Sequence, residues 1–257
     1  MSNAGFGWDR NWVRHGRLTA GSQVNGLGVG NLQNDHGSPS MGWQTVGTGS
    51  WFEIDMGVDV PWRAFVLART NLTPLAAIRW QVSNSAGALV YDSGEIPAGV
   101  VPGIGQSVHI LGGEVAGSIC RCYFGDPSNP DGFVNIALAY AGPLTQTKRN
   151  FSYGASVGRT QAGADVRSRG GALFRNLHWA ARRWDVQFAA LTDAEVWPLV
   201  MALDLHARRG GNVLFVPRPN HPDVARETIY GTLTTTSDPT LTDYSRRDWR
   251  ATIEERL

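Results

Sequence analysis

Two cysteines, four methionines and no stretch of eighteen apolar residues are all that 257 positions offer toward disulfide, thioether or membrane-spanning chemistry. Cys120 and Cys122 lie one residue apart in a strand-like run, so both side chains point to one face and a bridge between them would strain disulfide geometry. They read as two buried thiols, not as a redox pair or a metal site. No helix-length apolar run exists to cross a bilayer, and MSNAGFGWDRNWVRHG has neither a charged-then-apolar leader pattern nor an amphipathic helix, so the expectation is no membrane insertion and assembly in a cytoplasm. Charge is scarce as well, at 18% of residues, and 23 basic against 22 acidic side chains leave a net charge of +1. That balance gives no footprint for nucleic acid, an acidic polymer or a membrane surface. The six histidines, at 15, 36, 109, 178, 206 and 221, form no H-E-x-x-H or i, i+4 pair and have no cysteine cluster beside them, which excludes a catalytic zinc of the usual pattern.

What is present is glycine, 31 residues, and tryptophan, ten residues, in a chain that is 42% hydrophobic. This composition suits a turn-rich, aromatic-rich all-β protein, and the length predicts two domains. Residues 1–50 are too rich in Gly, Asn and Ser for helix and too rich in Trp for a free tail, so an ordered, loop-like lead-in is expected. From Ser50, WFEIDMG alternates and Gly57 is predicted to end the strand; WRAFVLART, Trp62 to Thr70, is apolar enough to cross a core. Ile78 to Gly94 reads as a hairpin turning at Asn84 to Gly87. Pro97 to Gly117 is predicted to be loop-rich with one short strand at Ser107 to Leu111; SICRCYFGD, the double turn DPSNPDG and FVNIALAYAG follow. Short strands at about ten-residue spacing, with no helical stripe among them, predict two packed antiparallel sheets. The alternation stops in GPLTQTKRN, which places the boundary between residues 147 and 148.

The second part opens with segments that read as strands around Tyr153 to Val157 and Ala164 to Ser168. Trp184, Val186 and Phe188 then alternate with Asp185 and Gln187, as in a strand with one buried face. Thr192 and Glu195 form a capping box, and Val196, Leu199, Val200 and Leu203 make one apolar helical stripe. Arg208 and Arg209 suit the negative helix end, Gly210 and Gly211 offer a left-handed stop, and VLFV at 213–216 is a short apolar strand. Pro198, too far from Thr192 for a first helical position, predicts a kink or a delayed start. A strand through Ile229 and Leu233 and a last one with Trp249, Ala251 and Ile253 on one face close the chain.

Strings that resemble enzyme motifs lack their contexts. GASVG at 154–158 matches a nucleophile elbow, but no helical stripe follows Gly158, so Ser156 reads as a strand residue. GLGVG at 26–30 is followed by NLQNDHGSPS, which offers no helix N-terminus to a phosphate. No catalytic residue and no cofactor is expected. Asp126 and Asp131, in the tight DPSNPDG loop, are the one candidate pair for a calcium ion, against ordinary turn chemistry. Trp8, Trp12, Trp43 and Trp62 are candidates for stacking on sugar rings, against core packing.

GSWFEIDMG, the ARTNL run, WQVSNSAGALVYDSG and CRCYFGDPSNPDGFVNIALAYAG, spanning about residues 45–142, resemble the discoidin-like, galactose-binding jelly-roll module. RNFSYG at 149–154, SRGG at 168–171, the strand through Trp184, LTDAEVWPLVMALD, NVLFVP, IYGTL at 229–233 and WRATIEE at 249–255 resemble the distal-tail or minor-tail (baseplate) proteins of long-tailed bacteriophages and gene transfer agents. The fold these resemblances imply is mainly β: an N-terminal β-sandwich (1–147), then a split β-barrel domain with one packed α-helix (148–257) that assembles as a ring continuing a tail tube. The expected function is a structural, non-enzymatic virion protein of the tail tip, joining tail tube to host-attachment parts. The alternative is a receptor- or carbohydrate-binding tail protein that recognises the host surface through the sandwich, with Trp43 and Asn71 as ligand contacts. Expected partners are copies of itself, as a hexamer or else a trimer, the tail tube and baseplate hub proteins, and a host surface glycan. Arg167, Arg169, Arg182 and Arg183 are the expected assembly contacts.

Overall fold

The computed structural model describes residues 3–257, so Met1 and Ser2 of the lead-in lie outside the described residues. Its strands are, in chain order, β1 (Gly5–Gly7), β2 (Arg17–Ala20), β3 (Trp43–Gln44), β4 (Gly49–Thr70), β5 (Ala77–Ser83), β6 (Leu89–Asp92), β7 (Ile96–Pro97), β8 (Gln106–Gly125), β9 (Asn135–Gly142) and β10 (Thr145–Gln146). They are followed by β11 (Ser156–Arg167), β12 (Leu173–Thr192), β13 (Val213–Val216), β14 (Ile229–Thr236), β15 (Thr240–Asp243) and β16 (Arg246–Glu255). The chain forms two compact units. One holds the residues up to Thr147 with Leu214–Thr228, and the other holds Lys148–Val213 with Ile229–Leu257.

In the first unit, β4 and β8 run antiparallel from Gly49 opposite Gly125 to Ala68 opposite Gln106, a ribbon long enough to pass through both layers of a sandwich. Its first half lies between β2 and β5, and along its second half β9 pairs with β4. Gly57, expected to end a strand, instead sits in the register break between Asp55 and Val60 with φ +70°. Glycine there lets the strand bend from one layer into the other without stopping. The stretch from Gln106 to Gly117, read as mostly loop, is strand for the same reason: it follows β4 across the bend. The predicted hairpin is present as β5 and β6, with Gly87 donating to the Asn84 carbonyl.

Aromatic rings fill the space between the layers. Phe65, on the second half of β4, stacks on Trp80 of β5 at 4.7 Å; Phe52, on the first half, meets Trp80 edge-on at 5.9 Å. Trp43 packs edge-on against Phe52 and Phe124 at 5.6 and 5.5 Å. Each such pair contributes about 0.5–1.5 kcal/mol beyond its burial. Cys120 and Cys122 are buried free thiols, and desolvation raises both well above the usual thiol range, so neither is a nucleophile in the folded protein. The VLFV strand, read as part of the second domain, contributes its last three residues to the first unit: Leu214–Val216 pairs with β1, and Phe215 packs on Phe6 at 5.1 Å. The segment is held further by Gln106, whose buried amide donates to the carbonyls of Ala225 and Thr228, both at 3.0 Å.

His109 on β8 links this core to β6. Its Nε2 lies 2.7 Å from the Tyr91 hydroxyl, its ring stacks with Phe65, and burial holds its pKa below the ordinary imidazole value. The unfolded chain therefore takes up this proton more readily, so the stability His109 contributes is complete above about pH 6.5 and is lost as pH falls toward the folded-state pKa. Urea midpoints should fall between pH 7 and pH 5, and His109→Gln should reduce that fall. Parallel pH profiles of the two proteins would contradict the assignment.

The second unit is an open sheet. Its pairing runs β14, β16, β12, β11, with β15 also on β16, and it does not close into a barrel. Its core combines Val186, Phe188, Trp249, Ala251 and Ile253 with the expected helical stripe Val196, Leu199, Val200 and Leu203, all buried. The capping box is present: the Glu195 carboxylate accepts from the Thr192 backbone N–H at 3.1 Å and the Thr192 side chain accepts from the Glu195 backbone, with the Thr192 hydroxyl also 2.8 Å from the carboxylate. Pro198 sits in a π turn, Val196–Met201, between Asp193–Glu195 and Ala202–Arg208. A widened turn accommodates a ring that lacks an N–H and would clash with the carbonyl four residues back, which resolves its placement. The two short strands read near Tyr153–Val157 and Ala164–Ser168 are one strand, β11, which forms a long hairpin with β12.

Candidate functional site

At one end of the sandwich the turn Pro39–Met41, the end of β4, and the loops at 71–74, 100–105 and 131–135 enclose an open cleft of about 630 Å³. That volume is in the range of small-ligand sites. Its position follows from the strand ends: Arg69 adopts φ +55°, a left-handed conformation unusual for a side chain with a Cβ, one residue before β4 ends at Thr70, which still pairs with Ile136 of β9. Thr70 then donates to the Gly105 carbonyl at 2.9 Å. Gly105 has φ +62°, and a Cβ there would lie 2.5 Å from the Thr70 carbonyl oxygen, so the close approach of these two loops requires glycine.

Asn71 is the joint of one wall. Its amide donates to Asp131 Oδ2 at 2.7 Å and to the Phe133 carbonyl at 3.0 Å, and its carbonyl oxygen accepts from the Asn135 backbone at 2.7 Å. Expected as a ligand contact, it lines the cleft but has its polar atoms engaged in holding Asp131, Phe133 and Asn135 in place. Asp131 is exposed, Phe133 and Arg69 are half-buried, and Arg69 Nε donates to the Gly37 carbonyl at 3.3 Å. Asn135 is buried at the cleft, with its amide donating to the Pro39 carbonyl and its Oδ1 without a protein partner. The cleft thus presents a cation, a carboxylate, amides and an apolar wall that includes an aromatic ring.

Two sequence expectations are corrected here. Trp43 is fully buried, its faces covered by Phe52 and Phe124 and its indole N–H donated to the Ser22 carbonyl, so it cannot stack on a sugar. Trp8 and Trp62 are core residues too, and Trp12 is half-buried with its indole donating to Pro61. Asp126 does not join Asp131 as a calcium ligand. It is fully buried and accepts from the Thr73 backbone and hydroxyl, both at 2.7 Å, and from the Asn129 amide at 3.2 Å. N–H and O–H donors occupy the positions a cation would take, and no cluster of three metal-ligating side chains occurs among the described residues. The turn chemistry of DPSNPDG accounts for it.

The four arginines also divide. Arg182 is bound within the unit by Glu255, which accepts from its Nε at 3.0 Å and its Nη2 at 2.8 Å with both side chains largely buried, and Arg183 pairs with Asp185 at 2.6 Å. Both are thus paired within the chain, and Arg183 keeps its side chain 44% exposed. Arg167 and Arg169 lie together at the exposed tip of the β11–β12 hairpin. Ser156 opens β11, 3.4 Å from Asp185, in a strand and not in an elbow.

No family model matches the chain, and no curated protein is similar to it. Among solved structures it is similar to the lectin domain of lectinolysin complexed with Lewis b antigen, at 11% identity and TM-score 0.42, over 52% of this chain and 97% of that one. It is similar to the family 32 carbohydrate-binding module of NanJ from C. perfringens in complex with galactose, at 11% identity and TM-score 0.42, over 51% and 96%. A fucose-binding module from Streptococcus pneumoniae, SpX-3, gives 14% identity and TM-score 0.40, over 52% and 98%. These likenesses concern fold and do not bear on what this chain binds.

Proposed function

We propose that the first unit is a non-catalytic binding module that holds a carbohydrate in the Arg69–Asp131 cleft. The observation that carries this is the cleft's composition: fixed charges of both signs, for sugar hydroxyls, face the same space as an apolar wall containing Phe133, for the apolar face of a ring. Asp131 is the one carboxylate lining it, whereas hydrolysis of a glycosidic bond by the common route takes two. On a glycan array the full chain should retain a restricted set of glycans, and Arg69→Ala should weaken retention at least tenfold, about 1.4 kcal/mol. Retention by no glycan, or equal retention by both proteins, would refute the reading.

A second reading is favoured by the exposed hairpin of the second unit: a structural component of a phage tail tip, in the distal-tail or baseplate ring, with copies of itself, tail tube and hub proteins as partners. The sandwich would then be the outward, host-recognising part. Purified tails that lack the chain would end this reading without touching the first.

A further inference from the structure

Arg69 is a cation without a counter-ion. Arg14, Arg17, Arg79 and Arg121 of the same unit each meet a carboxylate, with Asp35, Asp55, Asp92 and Glu53 as partners. Arg69 is half-buried and meets none among the described residues. Its Nε donates to the Gly37 carbonyl, which holds one edge of the guanidinium, while Nη1 and Nη2 have no partner among the described residues. The backbone beneath it adopts φ +55°, which glycine would take freely, so this side chain is held at the cleft despite a conformational cost.

Asp131 does not supply the missing anion. It lines the same cleft, yet no ion pair joins it to Arg69, and its Oδ2 accepts from the Asn71 amide at 2.7 Å. Arg69 and Asp131 are the one cation and the one carboxylate in the lining, and they face a ligand separately. Sugar hydroxyls can accept from a guanidinium, but they leave its charge uncompensated. A carboxylate compensates it, and its two oxygens match the two terminal nitrogens side by side.

We propose that the cleft selects acidic sugars: Arg69 Nη1 and Nη2 hold the carboxylate of a uronic or sialic acid residue, and the hydroxyls of that residue turn toward Asp131. The Asp131 charge fixes this orientation, because the reverse one would set carboxylate against carboxylate. The inference rests on the binding reading above and adds the charge of the sugar to it.

A glycan array of matched pairs tests it. Sialylated glycans are set beside their desialylated forms and oligogalacturonides beside their carboxyl-reduced forms, with sulfated glycans included, and the array is probed with the full chain, Arg69→Lys and Arg69→Gln. The parent should retain an acidic member at least about tenfold more strongly than its neutral partner, and that ratio should fall as salt rises from about 50 mM to about 500 mM. Arg69→Lys, which keeps the charge, should keep part of the preference, and Arg69→Gln should bring the ratio to about one. The ratio is read within one protein, so a partly unfolded variant does not distort it. Neutral members retained as well as their acidic partners, sulfated glycans retained in place of carboxylated ones, or the parent's ratio in Arg69→Gln would each overturn this inference and leave the binding reading standing. Retention of no glycan would end both.

Discussion

Replacing Trp80 by alanine is expected to destabilise the sandwich unit by about 3–5 kcal/mol, the cost of removing a fully buried aromatic side chain from a packed core. Trp80 is the ring through which the two layers meet, stacked on Phe65 and edge-on to Phe52, so its loss leaves a cavity bordered by rigid strands on both sides. The expected cost lies in packing and not in polarity, because the Trp80 indole N–H has no protein partner. Trp80→Phe should therefore cost much less than Trp80→Ala, since it keeps a ring in the stack and removes an unpaired buried donor. Urea unfolding followed by circular dichroism checks both. Equal losses for the two variants would mean that the indole N–H is engaged in the folded protein.

Asp126→Ala is expected to cost about 3 kcal/mol, because it removes the fully buried carboxylate that accepts from the Thr73 N–H and hydroxyl and from the Asn129 amide, leaving the two Thr73 donors without their acceptor. The damage should reach the cleft. Asn129 also donates to the Asn71 carbonyl at 3.1 Å, and Asn71 fixes Asp131, so loosening the turn frees the carboxylate from its position. Thermal melts measure the first effect, and glycan retention at a temperature where the variant is folded measures the second. A variant as stable as the parent would show that Asp126 does not hold the loop.

Much of the architecture is legible in residue order alone. Alternation in WFEIDMG, the turn at Asn84 to Gly87, and the stripe Val196, Leu199, Val200 and Leu203 each report a local pattern that the fold obeys. What is hidden depends on events that a local pattern does not encode. Gly57 reads as a stop because glycine ends strands more often than it bends them, and only the pairing of β4 with β8 shows the strand continuing. Val213–Val216 follows the helix in sequence, yet its last three residues pair with β1, more than two hundred residues away. For the site, Asn71 and Asp131 were visible as polar residues in loop-like stretches, whereas Arg69 was not. Its role rests on a positive φ at a strand end and on an approach to Gly105 that no spacing announces. Trp43 misled for the opposite reason: a tryptophan in a glycine-rich lead-in reads as exposed until the sheet that covers it is known.

Hydrogen exchange of the full chain, with and without the glycan that the array retains best, tests the binding account most directly. The account predicts slowed exchange confined to the cleft's segments, residues 39–44, 69–74, 100–105 and 131–135, with the β11–β12 hairpin and the 193–208 helix unchanged. Slowing elsewhere with these four segments unaffected would contradict it and place the binding surface on another part of the molecule.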